Sequence, residues 1–226
     1  MLKFFFHHTP NPMKVALFLE ETGLDFQLVP VDTLKGDQHT PEFRLINPNG
    51  KTPAIEDNGQ RVFDSNAILM YLSEKTGKLG GKAEDRAELL SWMMFIATGL
   101  GPYSGQCVHF RHAAPKEGLE YAVNRYLREA QRHYEVLDSH LANREFIVGD
   151  EYTIADVATW GWIDKANVVL GEEGLKPYPN LSAWFDKING RPAALRAREI
   201  AKGIEFKTEF DEEARRAFFP SNYPKA

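Results

Sequence analysis

Strand patterns are confined to the first third of this sequence, and helix patterns alone follow them. Short apolar runs of β type alternate with helix patterns as far as Thr76, and beyond Asp85 the strand signals fade. Strands are predicted at 2–6, 26–31, 51–56 and 61–63, with helices at 12–21, 41–46 and 65–76, the last capped by Ser65. The sequence therefore predicts a small α/β domain over residues 1–78, a linker over 79–85, and an all-helical domain with a C-terminal tail over 86–226.

The second part carries several well-marked helices. Residues 86–98 are strongly apolar, residues 119–141 repeat apolar side chains at steps of three and four, and residues 181–188 form a further helix. Arg125 and Arg132 lie seven positions apart and therefore share a polar face. The run Thr153-Ile154-Ala155-Asp156 has the form of a capping box, which predicts the start of another helix.

The first strand ends in a polar turn bracketed by prolines, His7-His8-Thr9-Pro10-Asn11-Pro12. A strand-to-helix turn of this kind brings free backbone N–H groups and the positive end of a helix to one place, which suits an anion. The chain has no Ser, Tyr or Cys before Ser65, so Thr9, Asn11 and the two histidines are the polar side chains at hand. None of these is a strong nucleophile by itself, so we expect a bound molecule to supply the reactive atom.

From the residues alone, each of these groups also has an ordinary structural role. Thr9 is more readily a turn residue whose hydroxyl bonds a backbone group, and Asn11 is as readily a helix N-cap. His7 and His8 fall on opposite sides of a continuing strand, so only one of them can face a cleft. No further ligands are spaced to help them, so we predict no metal site.

The composition argues against several classes of protein. A net charge of -5 with balanced basic clusters argues against nucleic-acid binding, and no apolar run approaches the ~20 residues of a membrane span. The N-terminus has no apolar signal core. Cys107 is the single cysteine, so an internal disulfide and a Cys-based zinc cluster are excluded, and we expect a cytoplasmic protein with a buried or incidental thiol.

Four motifs together resemble those of the glutathione transferases over nearly the whole chain. They are Thr52-Pro53-Ala54-Ile55, Asp64-Ser65-Asn66-Ala67-Ile68, Thr153-Ile154-Ala155-Asp156, and the set Tyr178-Pro179, Leu181, Trp184 and Arg191-Pro192-Ala193. The resemblance implies a thioredoxin-like α/β domain followed by an all-α domain, as in the cytosolic transferases. It also implies a cis-proline at Pro53, with the Thr52 backbone presented to an extended peptide.

Within that family the chain is most similar to the bacterial nu class, whose members look like disulfide-bond oxidoreductases. The similarity is carried by Thr9-Pro10-Asn11, Gln38, Gly105-Gln106 with His109-Phe110, and Asn124-Arg125-Tyr126. It implies a homodimer that binds one or two reduced glutathiones or one glutathione disulfide, with Thr9 and Asn11 near the sulfur. The chain departs from the class at His7-His8, where smaller or less polar residues are expected.

Further contacts with glutathione are implied at Gln38, Lys51, Thr52, Pro53, Asp64, Ser65 and Arg125. Ser65 would hold the γ-glutamyl carboxylate and Asp64 the neighbouring amine. Lys51 would face the glycine carboxylate, and Arg125 would meet a carboxylate by a forked contact. Without the resemblance, Gln38 and Lys51 are solvated loop residues, and Asp64-Ser65 is a simple helix cap.

We therefore expect an enzyme that stabilises a glutathione thiolate with hydrogen bonds from Thr9 and Asn11, for attack on a small disulfide. Conjugation of glutathione to a small electrophile needs the same thiolate, so the sequence leaves that reaction open. A non-enzymatic binding or regulatory role on the same fold is also open. The aromatic-rich tail, residues 206–223, either closes over the cleft between the domains or packs on the helical domain.

Overall fold

The computed structural model describes residues 1–114 and 117–223. Its N-terminal part is a four-stranded sheet in the order β2-β1-β3-β4, in which β1 and β2 are parallel and the other pairs antiparallel. The strands are β1 (Leu2–Phe6), β2 (Phe26–Pro30), β3 (Ala54–Asp57) and β4 (Gln60–Phe63). The helices of this part are α1 (Pro10–Thr22), α2 (Pro41–Ile46) and α3 (Ser65–Thr76), which confirms the thioredoxin-like expectation.

The β3–β4 hairpin turns at Asn58 and Gly59, as the sequence predicts. Their φ angles are 49° and 86°, the two positive values that a tight hairpin of the Asn-Gly type requires. The prediction that β3 starts at residue 51 is wrong, because the strand begins at Ala54. The preceding Pro53 has no N–H to give to the sheet, and the Asn47 side chain holds the Lys51 carbonyl in a turn.

Both helices that point at the candidate site are capped by residues other than those predicted. Helix α1 starts at Pro10 with Thr9 as its N-cap, so Asn11 is its second residue and not its cap. Proline fits the first helical position because its missing N–H would have no partner there. Helix α3 is capped by Asp64 and not by Ser65, since the Asp64 carboxylate accepts the N–H groups of Asn66 and Ala67.

In residues 86–114 and 117–223, the second part contains helices and no strands. Its helices are α4 (Arg86–Phe95), α5 (Gly101–Val108), α6 (Glu120–His140), α7 (Ile154–Ile163), α8 (Ala166–Leu170), α9 (Pro179–Asn189), α10 (Pro192–Glu199) and α11 (Glu212–Phe218). The predicted helix over 86–98 gives way at Ile96–Leu100 to a π turn, which leads into α5 close to Pro102, a residue with no N–H for the ladder. In the described ranges 1–114 and 117–223, no helix combines the length and apolarity that crossing a membrane requires.

Helix α7 joins the two parts and is buried along all 10 of its residues. Its start is the predicted capping box, in which Thr153 and Asp156 bond each other's backbone. Asp156 also accepts the indole N–H of Trp184, and burial raises the pKa of its carboxyl to about 6. Gly161 lets α7 approach α1 closely, since a Cβ there would lie 2.6 Å from the Pro10 carbonyl oxygen. The domain boundaries at residues 78 and 86 stay predictions.

Candidate active site

The candidate site lies where β1 ends. Phe5 pairs with Ala54 across the sheet, so the antiparallel register places the cis Thr52–Pro53 segment beside Phe6 and His7. On the other side of β1, the Val31 N–H donates to the Phe6 carbonyl at 2.8 Å. The turn that opens α1 therefore lies between two loops. One is the loop before β3, which holds Thr52 and Pro53, and the other is the loop after β2, which begins at Val31.

Asn11 is held by a partner from the helical domain. The indole N–H of Trp162, on α7, donates to Asn11 Oδ1 at 3.1 Å. An indole nitrogen can only donate, so the oxygen of the Asn11 amide must face Trp162 and the NH₂ group is left for another acceptor. The half-buried Asn11 thus presents two N–H donors in a fixed orientation.

Trp162 is itself tightly placed by helix α5. A Cβ at Gly101 would lie 3.1 Å from the Trp162 indole nitrogen, and one at Gly105 would lie 3.4 Å from its ring. These two glycines, one turn apart on α5, leave the space that the indole occupies. The orientation of the Asn11 amide therefore depends on packing between α5 and α7, far along the chain from Asn11.

Thr9 caps α1 without using its side chain. Its backbone is extended, at φ -131° and ψ 164°, and its hydroxyl makes no hydrogen bond to the helix. The preceding histidines separate as expected, because His7 is buried and His8 is exposed. Burial lowers the pKa of His7, so this imidazole is neutral at physiological pH.

Asp64 and Ser65 form the start of α3, across from the turn of α1. Asp64 is exposed and has φ 72°, a left-handed conformation that is rare for a residue with a side chain. Its Oδ1 accepts the N–H groups of Asn66 at 2.9 Å and Ala67 at 3.2 Å. Ser65 is buried, and the buried Lys14 ammonium lies 3.4 Å from its hydroxyl oxygen. Backbone strain of this kind accumulates at functional sites.

Gln38 is not a solvated loop residue, because the C-terminal tail covers it. Its side-chain nitrogen donates to the Thr33 carbonyl at 3.1 Å and to the Ala217 carbonyl of α11 at 3.2 Å. Its Oε1 is buried and has no partner within residues 1–114 and 117–223. The donors of Gln38 are therefore already used, and its oxygen is the polar atom of this side chain that is left without a partner.

The C-terminal tail bridges the two parts of the molecule. The Phe206 ring lies 4.9 Å from the His7 ring, and the Lys207 N–H donates to Asp32 at 2.8 Å. Farther along, the Phe219 ring lies 4.7 Å from that of His109, which follows α5. The tail therefore packs on the helical domain, as one of the two expectations had it, and it also covers the loop after β2.

Lys51 and Arg125 stand apart from these contacts. Lys51 is exposed on the loop before β3. Arg125 is exposed on α6 and bonds Glu129 at 3.0 Å, and Arg132 bonds the same carboxylate. The two arginines share one helix face, as the sequence predicts, but the described contacts do not join either of them to the α1 turn.

Sequence reasoning missed two residues of this site, Lys14 and Trp162. Lys14 carries a signal in hindsight, because it is the only charged residue in the apolar run from Pro12 to Leu19. Trp162 carries none, since an aromatic residue in an apolar helix is usually core. Cys107 is buried against the Val169 carbonyl, and burial raises the pKa of its thiol, as an unreactive role requires.

Two family models match the chain and agree with this architecture. Residues 2–74 match the N-terminal domain of glutathione S-transferases, and residues 92–192 match the C-terminal domain. The chain belongs to the glutathione S-transferase family.

Its relatives include two proteins of Escherichia coli K12. The disulfide-bond oxidoreductase YfcG is 42% identical over 205 residues, covering 87% of this chain and 94% of YfcG. The disulfide-bond oxidoreductase YghU is 39% identical over 211 residues, covering 85% of this chain and 72% of YghU.

Two solved structures extend the comparison. A glutathione transferase from Burkholderia graminis, with two glutathione molecules bound per subunit, superposes with a TM-score of 0.81 at 37% identity and covers 89% of each chain. One from Pseudomonas putida, with one glutathione disulfide bound per subunit, has a TM-score of 0.80 at 34% identity and covers 88% of this chain and 91% of the other.

Proposed function

We propose that the chain is a glutathione-dependent disulfide-bond oxidoreductase of the nu-class type. The observation that carries this proposal is the hydrogen bond from Trp162 to Asn11, which leaves the Asn11 NH₂ group as a fixed donor at the start of α1. Together with the Thr9 hydroxyl and the helix dipole, these donors favour the charged form of a sulfur and lower the pKa of a bound thiol. The bound tripeptide then supplies the nucleophile that the turn lacks.

The reaction proceeds by two thiol–disulfide exchanges. The glutathione thiolate attacks one sulfur of the substrate disulfide, forms a mixed disulfide, and releases the other half as a thiolate that takes up a proton. A second glutathione thiolate attacks the mixed disulfide at the glutathione sulfur, which forms glutathione disulfide and releases the second thiol. The protein contributes orientation and electrostatic stabilisation, and no protein residue becomes covalently bound.

The remaining groups of the site suit the ends of the tripeptide. The α3 N-terminus with Ser65 holds the γ-glutamyl carboxylate, while the exposed Asp64 faces the amine. The Thr52 backbone, just before β3 and beside the end of β1, pairs with the extended cysteinyl part. Gln38 accepts through its unpaired oxygen, and Lys51 faces the glycine carboxylate from its loop.

The relatives support this assignment in two ways. YfcG and YghU are both disulfide-bond oxidoreductases, and their identity to this chain extends over both domains. The solved relatives hold two glutathiones or one glutathione disulfide per subunit, which are the glutathione consumed and the disulfide formed over the two exchanges together. We therefore expect this chain to bind either form.

We also propose that the protein is a cytoplasmic homodimer. Phe63 on β4 and Met94 on α4 are 42% and 47% exposed, large apolar residues that a partner subunit would cover. Sedimentation of the purified protein tests the oligomeric state. A single species at the monomer mass over the micromolar range would contradict the dimer.

The activity is tested by glutathione-dependent reduction of a small model disulfide, with formation of glutathione disulfide as the readout. We expect turnover by the wild type and its loss in Thr9→Ala and Asn11→Ala, with glutathione still raising the melting temperature of both variants. Unchanged turnover in both variants would contradict the site. Turnover with an electrophile but with no disulfide would favour conjugation instead.

A further inference from the structure

Lys14 is a buried lysine in the interface between α1, α3 and α7. It is 1% exposed, and its ammonium group lies 3.4 Å from the Ser65 hydroxyl oxygen. The backbone of helix α7 packs closely against this side chain. A Cβ added at Gly161 would lie only 2.6 Å from the Lys14 Cγ. A charge that is withdrawn from water in this way is costly unless something compensates for it.

The compensation that the chain itself provides is small. Burial lowers the pKa of Lys14 to about 7, against an opposing effect of Asp64. One oxygen of Asp64 is already bonded to two N–H groups of α3, and the residue is exposed to solvent. A leucine or methionine at this position would pack without the penalty, so stability does not account for the lysine.

We propose that Lys14 is a positioning residue that prepares Ser65 and the start of α3 to hold the γ-glutamyl carboxylate of glutathione. This inference rests on the proposed function. It concerns a residue that lies behind Ser65 and acts on the ligand only through the Ser65 hydroxyl.

The orientation of the Ser65 hydroxyl depends on what each group around it can donate. An ammonium group only donates, so Lys14 occupies an acceptor position of the Ser65 oxygen. The single hydroxyl hydrogen is then free to point outward, toward an anion at the N-terminus of α3. Helix α1 has an equivalent arrangement. There the Trp162 indole donates to the oxygen of Asn11 and leaves the amide hydrogens free.

The charge of Lys14 adds to this orientation. A positive charge behind the first turn of α3 strengthens the field that the helix end directs at a carboxylate. Since the carboxylate arrives with the ligand, the buried charge gains its best partner only in the complex. The proposal therefore predicts that Lys14 contributes to affinity for the carboxylate at the expense of the stability of the free protein.

The test compares two ligands on the wild type and on Lys14→Met, which keeps the length of the side chain and removes its charge. One ligand is S-methylglutathione, which has no ionisable thiol. The other is the same peptide with 4-aminobutanoyl in place of γ-glutamyl, which keeps the amine and lacks the carboxylate. Calorimetric titration gives the dissociation constants.

We expect Lys14→Met to bind S-methylglutathione about tenfold more weakly than the wild type does, and to bind the 4-aminobutanoyl peptide equally well. Lys14→Gln, which still donates to Ser65 but carries no charge, should lie between the two and also serves if the methionine variant does not fold. Lys75→Met is the matched control, because Lys75 lies on the last turn of α3 and pairs with Asp57. Its affinities for both ligands should equal those of the wild type.

Three results would overturn the inference, and they can be told apart. Equal losses for both ligands would make Lys14 a packing residue, and undiminished binding of S-methylglutathione by both Lys14 variants would leave the proposed function standing without it. No binding of S-methylglutathione by the wild type would remove the proposed function and this inference together.

Discussion

The starts of α1 and α3 are the two candidate anion sites. At each of them, a buried side chain donates a hydrogen bond to a residue of the site. At α1 the donor is the neutral indole of Trp162, which bonds Asn11 at 3.1 Å. At α3 it is the ammonium group of Lys14, which lies 3.4 Å from Ser65. The sulfur at α1 gains and loses charge during exchange, whereas the carboxylate at α3 is always charged. A positive charge at Lys14, which a bound carboxylate favours, therefore suits α3, while a neutral donor at α1 avoids holding the thiolate too tightly to react.

The largest effect that we predict is on the α1 side. Asn11→Ala removes both amide donors and should lower the turnover number by about a hundredfold, as loss of a donor to a developing charge does elsewhere. The measurement is steady-state reduction of the model disulfide at saturating glutathione. Asn11→Asp is the sharper companion, since its carboxylate repels the thiolate and should be at least as inactive. Full activity in Asn11→Asp would show that α1 holds no anion.

On the α3 side the matching prediction concerns stability. Lys14→Met should stabilise the free protein by about 1–4 kcal/mol at pH 6, because it removes a buried charge. The pKa of Lys14 is about 7 in the folded protein, below its ordinary value of 10.5. The unfolded chain therefore binds the extra proton between these values, so wild-type stability rises over that pH range.

The advantage of Lys14→Met should accordingly be full below pH 7 and shrink as the pH rises toward 10.5. Urea unfolding of both proteins at several pH values measures it. An advantage that does not change with pH would show that Lys14 has the same pKa in the folded and unfolded chains, and therefore that burial does not lower it.

Trp162→Phe isolates the donor from the packing at α1. Phenylalanine fills part of the space beside Gly101 and Gly105 but has no N–H, so the Asn11 amide can rotate. We expect turnover to fall about tenfold, less than in Asn11→Ala, with little change in the affinity for S-methylglutathione. Trp92→Phe, in a half-buried indole of α4 beside His140, is the control and should be unchanged. Equal activity of the two variants would remove Trp162 from the site.

The smallest predicted effect distinguishes two arginines of α6. Arg125 and Arg132 have side-chain exposures of 54% and 53% and bond the same carboxylate, that of Glu129. The resemblance assigns a ligand contact to Arg125, so Arg125→Ala should weaken glutathione binding about threefold, the size of an exposed ion pair, and Arg132→Ala should not. Titration of both variants with S-methylglutathione tests this difference. Identical dissociation constants would leave Arg125 without a role in binding.

The sequence predicted the parts of the fold that local patterns encode. The hairpin at Asn58-Gly59, the capping box at Thr153 and the long helix α6 follow from turn chemistry and periodicity, and the structure contains all three. The cis peptide before Pro53 came from the family resemblance and is also present. These features depend on residues close together in the chain, which is why a single sequence reveals them.

The sequence did not predict what distant segments do to one another. Trp162 reaches Asn11 from 151 residues away, and Ala217 covers Gln38 from a separation of 179 residues. The helix caps differ from those predicted because Pro10, which lacks an N–H, fits the first position of α1, and because the Asp64 carboxylate accepts two N–H groups of α3. Lys14 was overlooked because a lysine is almost always solvated, and only the packing of α7 shows that this one is not.

In the proposed function, the α1 turn stabilises a thiolate through an amide that Trp162 orients. The most direct measurement is the pKa of the thiol of bound glutathione, from the ultraviolet absorbance of its thiolate across a pH titration. We predict a pKa below the ~8.5 of a free thiol in the wild type, a value close to the free one in Asn11→Ala, and an intermediate value in Trp162→Phe. The same pKa in all three proteins would contradict the account.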